Sequence, residues 1–210
     1  MILKKIQDLL EALYCVESKH NVEDYFAAKQ TSGGTSIGNR LGREALLVRQ
    51  EDLDLQLALF VDAEVMKELK DHDPFSGLGQ DNLDSFCTAT EGVSHFLYLV
   101  SRAEENHPVT CLELELQGEV DKYLLSALLY RHHTGEVPEF LFQYLFEHFS
   151  WDPNLEEAEK SRYEKANHLA ARFCFHMDEC IRHGRWDDTL EAARHFYRLD
   201  HWSKLRQLTP

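Results

Sequence analysis

LDSFCTATEGVSHFLYLVSRA (Leu83–Ala103) and VTCLELELQGEVDKYLLSALLYR (Val109–Arg131), joined by a polar break at Glu104–Pro108, are the stretches that decide the fold. Apolar residues recur in both at helical spacing. In the first run Phe86, Ala89, Val93, Phe96, Leu97 and Val100 form a broad face, leaving the narrow polar stripe Asp84, Thr88, Glu91, His95 and Arg102. In the second, Leu112, Leu116, Val120, Tyr123, Ala127 and Tyr130 share a face. Glu115, Glu119, Lys122 and Ser126 form one further stripe, and Glu113, Gln117 and Asp121 another. Helices with so little polar surface belong at the centre of a bundle, where a polar stripe either reaches solvent or lines an interior site.

Folding the two runs antiparallel about Glu105 gives those stripes a content. His95 lies ten residues before that point and Glu115 ten after; Glu91 lies fourteen before and Glu119 fourteen after. With equal rise on the two arms, three carboxylates and an imidazole stand at similar depth. Glu91, His95, Glu115 and Glu119 are therefore the candidate ligands of a divalent metal, and mixed carboxylate and imidazole donors suit iron, manganese or zinc. Glu164 and His168 repeat the same Glu-x-x-x-His spacing further on and are a second, weaker candidate pair. Against a metal stands the spacing itself. Di-metal bundles use Glu-x-x-His, and that pattern occurs here only at Glu104–His107, which runs into Pro108. Level matching leaves rotation open, so a buried polar network without metal and a solvated face are the alternatives. Glu119 and Lys122 also form an ordinary i, i+3 ion pair.

Outward from the hairpin, Ile2–Val16 has amphipathic helical spacing, and Val22–Ala27 reads as a short extended segment. TSGGTSIGNRLG (Thr31–Gly42) reads as a loop; it lacks the Gly-Lys-Ser/Thr ending of a phosphate cradle. Ala45–Val48 and Leu53–Val61 read as strands, the second with leucines at every other position. Asp62 is placed to cap a short helix Ala63–Lys70, and Asp71–Gln80 is a loop whose Asp71, His72 and Asp73 are consecutive and need not converge. After the hairpin come helices over Glu139–Phe149, from a cap at Asn154 to Arg182, and from Asp187 or Asp188 to Leu199, with a last short one carrying Trp202. The expected fold is a single mostly helical α+β domain over 1–210. A small antiparallel sheet near 22–61 packs on a helical bundle over 81–210 that ends in a helical hairpin.

With 22 Lys and Arg against 37 Asp and Glu, the net charge is −15, and the basic residues are scattered. Nucleic acid and anionic membrane surfaces, which demand clustered cations, are therefore excluded as expected partners. The five cysteines form no Cys-x-x-Cys pair, which fits reduced thiols in a cytoplasmic protein. The N-terminal run lacks the apolar core and cleavage site of a signal peptide.

EGVSHFLYL (Glu91–Leu99) and LELELQGEVDKYL (Leu112–Leu124) resemble a family of bacterial cytoplasmic proteins with a short sheet region before the helices. That resemblance implies a bacterial, soluble protein and brings with it neither an activity nor site residues. Two functional expectations stand. The first is a non-enzymatic interaction or regulatory protein, with a protein partner or self-association through aromatic stripes such as Phe140, Phe142, Tyr144, Phe146 and Phe149. The second is a metal-dependent enzyme built on the hairpin.

Overall fold

A computed structural model describes residues 1–27, 43–51, 54–147 and 155–209, together with the backbone of 35–37. Eight helices and a four-stranded sheet make up these residues: α1 (Ile2–Tyr14), β1 (Phe26–Ala27), β2 (Thr35–Ile37), β3 (Glu44–Glu51), β4 (Asp54–Val61), α2 (Ala63–Asp71), α3 (Leu83–Glu104), α4 (Cys111–Thr134), α5 (Phe140–Phe146), α6 (Glu157–Arg182), α7 (Trp186–Arg198) and α8 (His201–Leu208). This is the mostly helical α+β architecture that the periodicities imply.

The sheet is mixed rather than antiparallel. Its order is β1-β4-β3-β2; β3 pairs antiparallel with both β2 and β4, but β1 lies parallel to β4. A single 3-10 turn, Val22–Tyr25, brings the chain to that edge, and the Asn21 side chain caps it by accepting from the Glu23 amide. Only Phe26 and Ala27 then remain to pair, too short a strand for any pattern to set its direction. Part of the expected loop at 31–42 is strand β2, which pairs Thr35–Ile37 with Leu46–Val48; the rest of it, the turn at 52–53 and the break at 151–154 lie outside the described residues. The β3–β4 hairpin places Leu46 opposite Leu59, both fully buried, and burial along the alternating leucines of β4 falls from Leu59 through half-buried Leu57 to exposed Leu55.

Helix α3 is the hub, packing against α1, α2, α4 and the inner face of β3 and β4, while α4 packs on α3, α5 and α6. One hydrophobic cluster runs from Leu3 on α1 through Phe86, Phe96 and Tyr123 to Phe196 on α7 and Leu208 on α8. The helix ends follow local chemistry. Asp62 caps α2 through the Glu64 amide, and Thr110 caps α4 through the Glu113 amide. Gly135 and Gly184 adopt the left-handed conformation after α4 and α6. The cap of α6 is Glu156, in a reciprocal capping box with Glu159, two residues beyond the expected Asn154. At the far end of α4, His133 accepts from the Leu78 amide and contacts the Phe75 carbonyl, which pins the loop that leads into α3.

Candidate metal centre

The two polar stripes of the α3–α4 hairpin face each other. His95 Nε2 lies 3.5 Å from Glu115 Oε2, and the Lys122 ammonium donates both to Glu91 Oε2 at 3.0 Å and to Glu119 Oε1 at 2.8 Å. The pairing by depth is therefore direct for His95 and Glu115, and runs through Lys122 for Glu91 and Glu119. Ligand atoms of Glu91, His95 and Glu115 all lie within 4.8 Å of one another. Trans ligands around a metal with bonds of about 2.0–2.2 Å stand about 4.2 Å apart, so gathering these three needs side-chain adjustment of about half an ångström. Glu119 belongs with Lys122 and stands outside this set.

Three residues that the sequence reading did not select complete the surroundings. Glu44 begins β3 and points its buried carboxylate at the far side of the imidazole, Oε2 being 3.9 Å from His95 Nδ1. Its predecessor Arg43 is tied to α3 by ion pairing with Asp84 and by donating to Ser85 Oγ at 3.0 Å, which fixes the strand end over α3. From α6, Arg162 Nε lies 3.5 Å from Glu115 Oε1, and the guanidinium sits over the ring of Tyr163.

Two glycines make the crowding possible. A Cβ on Gly118 of α4 would stand 3.1 Å from His95 Nε2 and 3.4 Å from Glu91 Cγ. A Cβ on Gly92 of α3 would stand 2.9 Å from Leu59 Cδ1 and 3.1 Å from Glu44 Oε2. Mid-helix glycine costs about 1 kcal/mol against alanine, so two of them inside long helices are themselves a signal of close approach. That signal was present in both quoted stretches.

The electrostatics are those of a buried pocket rich in carboxyl groups. His95 has no exposed side-chain surface and Glu115 only 1 %. Burial pushes the imidazole down to about 4 and outweighs the opposing pull of Glu91, so the ring is neutral near pH 7, the form that ligates metals. Burial, followed by the charge of Glu91, pushes Glu115 up to about 8. Glu44 is held well above the usual carboxylate range by burial and by Glu91 and Glu115. At Glu91 burial acts upward too, but Lys122 and His95 together outweigh it and hold the carboxyl below its ordinary value. Lys122 is held well above its own, because Glu119 and Glu91 overcome its burial.

Hydrogen bonding is incomplete at this place. Both ring nitrogens of His95, both carboxylate oxygens of Glu115, Glu44 Oε2 and Arg162 Nε are buried without a hydrogen bond of ordinary geometry. The opposite side of α4 is more fully bonded, although Glu113 Oε2 and Arg102 Nε lack such a bond there too. There Asp121 accepts from Tyr14, from Ser94 Oγ at 2.5 Å and from Gln117 Nε2 at 2.9 Å. The fully buried Lys204 of α8 donates to Tyr98 Oη and Gln117 Oε1, each at 2.9 Å. Tyr98 in turn donates to Glu113 at 2.8 Å, and Arg102 ties Tyr98 to the Tyr197 and Leu199 carbonyls.

Glu164 and His168 are not brought to the centre. Both are exposed on α6, and Glu164 is within ion-pair range of Lys160. Their helix turns its apolar positions, Tyr163, Ala166 and Ala170 among them, toward α4, which leaves this pair on the outer face. Asp71 and His72 are exposed at the end of α2, while Asp73 caps the next turn through the Phe75 amide and pairs with Lys5. Among the described residues, Glu91, His95 and Glu115 form the one group of three or more such side chains close enough to hold an ion.

Comparison with protein-family models, with curated proteins and with solved structures finds no match for this chain. No helix among the described residues is long and apolar enough to cross a membrane.

Proposed function

We propose that this chain is a metal-dependent enzyme in which Glu91, His95 and Glu115 hold one divalent ion, with Glu44 orienting the imidazole from behind. The observation that supports this most is His95 itself: a histidine with no exposed surface, set between buried carboxylates at 3.5 and 3.9 Å, whose ring makes no side-chain hydrogen bond of ordinary geometry and has only the Leu114 backbone to bond. Unpaired polar atoms are rare in protein interiors, and a convergent set of them points to a missing ligand. A metal on Nε2 would complete the carboxylate–histidine–metal relay in which the second nitrogen donates to a carboxylate, here Glu44. It would also hold Glu115 in its ionised form. Carboxylate oxygen and imidazole nitrogen fit iron, manganese or zinc. Three protein donors leave coordination positions for water or a substrate oxygen, the pattern of a catalytic centre, where the ion acts as a Lewis acid or activates water.

The test is metal content and coordination. Protein expressed with supplemented metal and then desalted is expected to retain about one equivalent of iron, manganese or zinc, and His95→Ala or Glu115→Ala to lose it with the fold intact. The cobalt(II) form is expected to change its visible spectrum on adding azide, which reports an exchangeable position. Less than a tenth of an equivalent in the wild type overturns the reading; a cobalt spectrum indifferent to azide restricts the ion to a structural role.

A second reading, association with a protein partner or a second copy, is favoured by the exposed aromatic rings Phe140 and Tyr144 on α5 and Phe175 on α6. Sedimentation that stays monomeric at all concentrations would remove the self-association form of it. The five cysteines are free thiols, which supports placing the protein in a reducing compartment such as the bacterial cytoplasm.

A further inference from the structure

Beside the three-ligand set stands a second carboxylate pair whose cation is already present. Glu91 and Glu119 project from facing helices, and the Lys122 ammonium sits between them at 3.0 and 2.8 Å. Lys122 reaches there from α4 with its side chain largely buried. Glu91 is shared, since its other neighbours are the imidazole and Glu115. The arrangement is thus two adjoining cation positions with Glu91 between them, one lined by His95 and Glu115, the other filled by an ammonium.

We propose that Lys122 is the resident cation of the second position and thereby limits the centre to a single metal ion. This rests on the metal reading above and deepens it. Geometry supports it. The ammonium stands 3.0 Å from Glu91 and 2.8 Å from Glu119, where a second ion would have to sit, and a divalent ion placed beside it would meet a like charge in a medium that screens poorly. Without Lys122 the Glu91–Glu119 pair becomes a vacant carboxylate site next to an occupied one, the layout of carboxylate-bridged two-metal centres.

The experiment is a manganese(II) titration of the full chain, read by metal analysis after gel filtration and by electron paramagnetic resonance. The wild type is expected to take one equivalent and show the six-line spectrum of an isolated ion. Lys122→Met is expected to take two and show a spin-coupled pair, and Lys122→Arg, which keeps the charge, to stay at one. One equivalent or fewer in folded Lys122→Met overturns the proposal while leaving the metal reading intact; no binding in the wild type overturns both. Should Lys122→Met fail to fold, Glu119→Ala decides the matter. If Glu119 serves Lys122 and not the ion, this variant keeps one equivalent at an affinity within about threefold of wild type. Loss of that equivalent, as expected for Glu115→Ala, overturns the proposal.

Discussion

Gly118→Ala sets two effects of known sign against each other at the centre. Alanine for glycine in a helix interior stabilises by about 1 kcal/mol, partly by restricting the unfolded chain. The added methyl, however, would stand 3.1 Å from His95 Nε2, where ordinary contact begins near 3.4 Å. The ring must therefore shift by a few tenths of an ångström, or α4 must move away from α3. His95 is fully buried and cannot swing into solvent, so part of the helix gain is lost as overpacking, which typically costs about 1–3 kcal/mol. Net stability is expected to stay within about 1 kcal/mol of wild type, read from urea denaturation midpoints at equal slope. Metal binding has no such compensation. Bond lengths in a metal site tolerate only about 0.2 Å, and the displaced atom is the nitrogen proposed to bind the ion, so affinity is expected to fall at least about tenfold by competition with a chelating dye. A variant that gains the full helix increment and binds metal as tightly as wild type would refute both the position of His95 Nε2 and its role.

Three further outcomes follow from the same geometry. Glu44→Gln, which keeps the shape but replaces the carboxyl behind His95 Nδ1 with an amide, is expected to lower metal affinity about 10–100-fold in a zinc or manganese titration, the usual loss for an outer-shell partner; unchanged affinity would detach Glu44 from the centre. Gly92→Ala places a methyl 2.9 Å from Leu59 Cδ1 and against Glu44, so despite the better helix former it is expected to lower the melting temperature and separate β4 from α3; a higher melting temperature would contradict the packing. Lys204 contributes a pH dependence of its own: burial pushes it down to about 7, so between that value and its ordinary 10.5 the unfolded chain binds the proton that the folded chain has released. Its contribution to stability therefore rises with pH, by about 2 kcal/mol from about pH 7 to about pH 9. Denaturation of wild type and Lys204→Met at both pH values isolates that slope, and a difference between them that does not change with pH would refute it.

The fold was legible where a pattern was long. The hairpin runs were placed to within three residues of α3 and α4 because a 22-residue and a 24-residue helix each repeat their apolar face many times. The direction of β1 was not, since two residues hold no period. Depth matching within the hairpin found His95 opposite Glu115 because rise per residue is a constant of the helix. Glu44 and Arg162 could not be found that way. They enter from β3 and α6, and no sequence spacing encodes how a strand end or a third helix is rotated onto a hairpin. Lys122 was read as the partner of Glu119, which it is, but its simultaneous reach to Glu91 across the helix interface is a tertiary fact.

Helix α4 offers its own control on the metal reading. Its two flanks hold the same kinds of residue at the same depth. On one flank Glu113, Gln117 and Asp121 meet Tyr98, Tyr14, Ser94 and Lys204 in a connected network of donors and acceptors, and that network fastens α8 and the start of the chain to the hairpin. On the other flank six atoms of His95, Glu115, Glu44 and Arg162 lack such bonds, against two, Glu113 Oε2 and Arg102 Nε, on the first. Each unsatisfied buried polar group costs about 1–3 kcal/mol, so these four side chains, with the 3.5 Å ion-pair contacts of Glu115 offsetting part of the cost, still weigh against the about 5–15 kcal/mol by which a whole domain is stable. A sequence that connects one flank with seven side chains has the means to connect or replace the other. Two leucines in place of His95 and Glu115 would remove the cost in one step and suit an otherwise apolar helix pair. Instead the chain keeps the imidazole and carboxylate together, gives up a helical side chain at Gly118 to make room for the imidazole, and gives up another at Gly92 to admit Leu59 and Glu44. The cation proposed for Glu91, His95 and Glu115 accounts for these choices together, where the ion-pair contacts at 3.5–3.9 Å leave the hydrogen bonding of the same atoms incomplete.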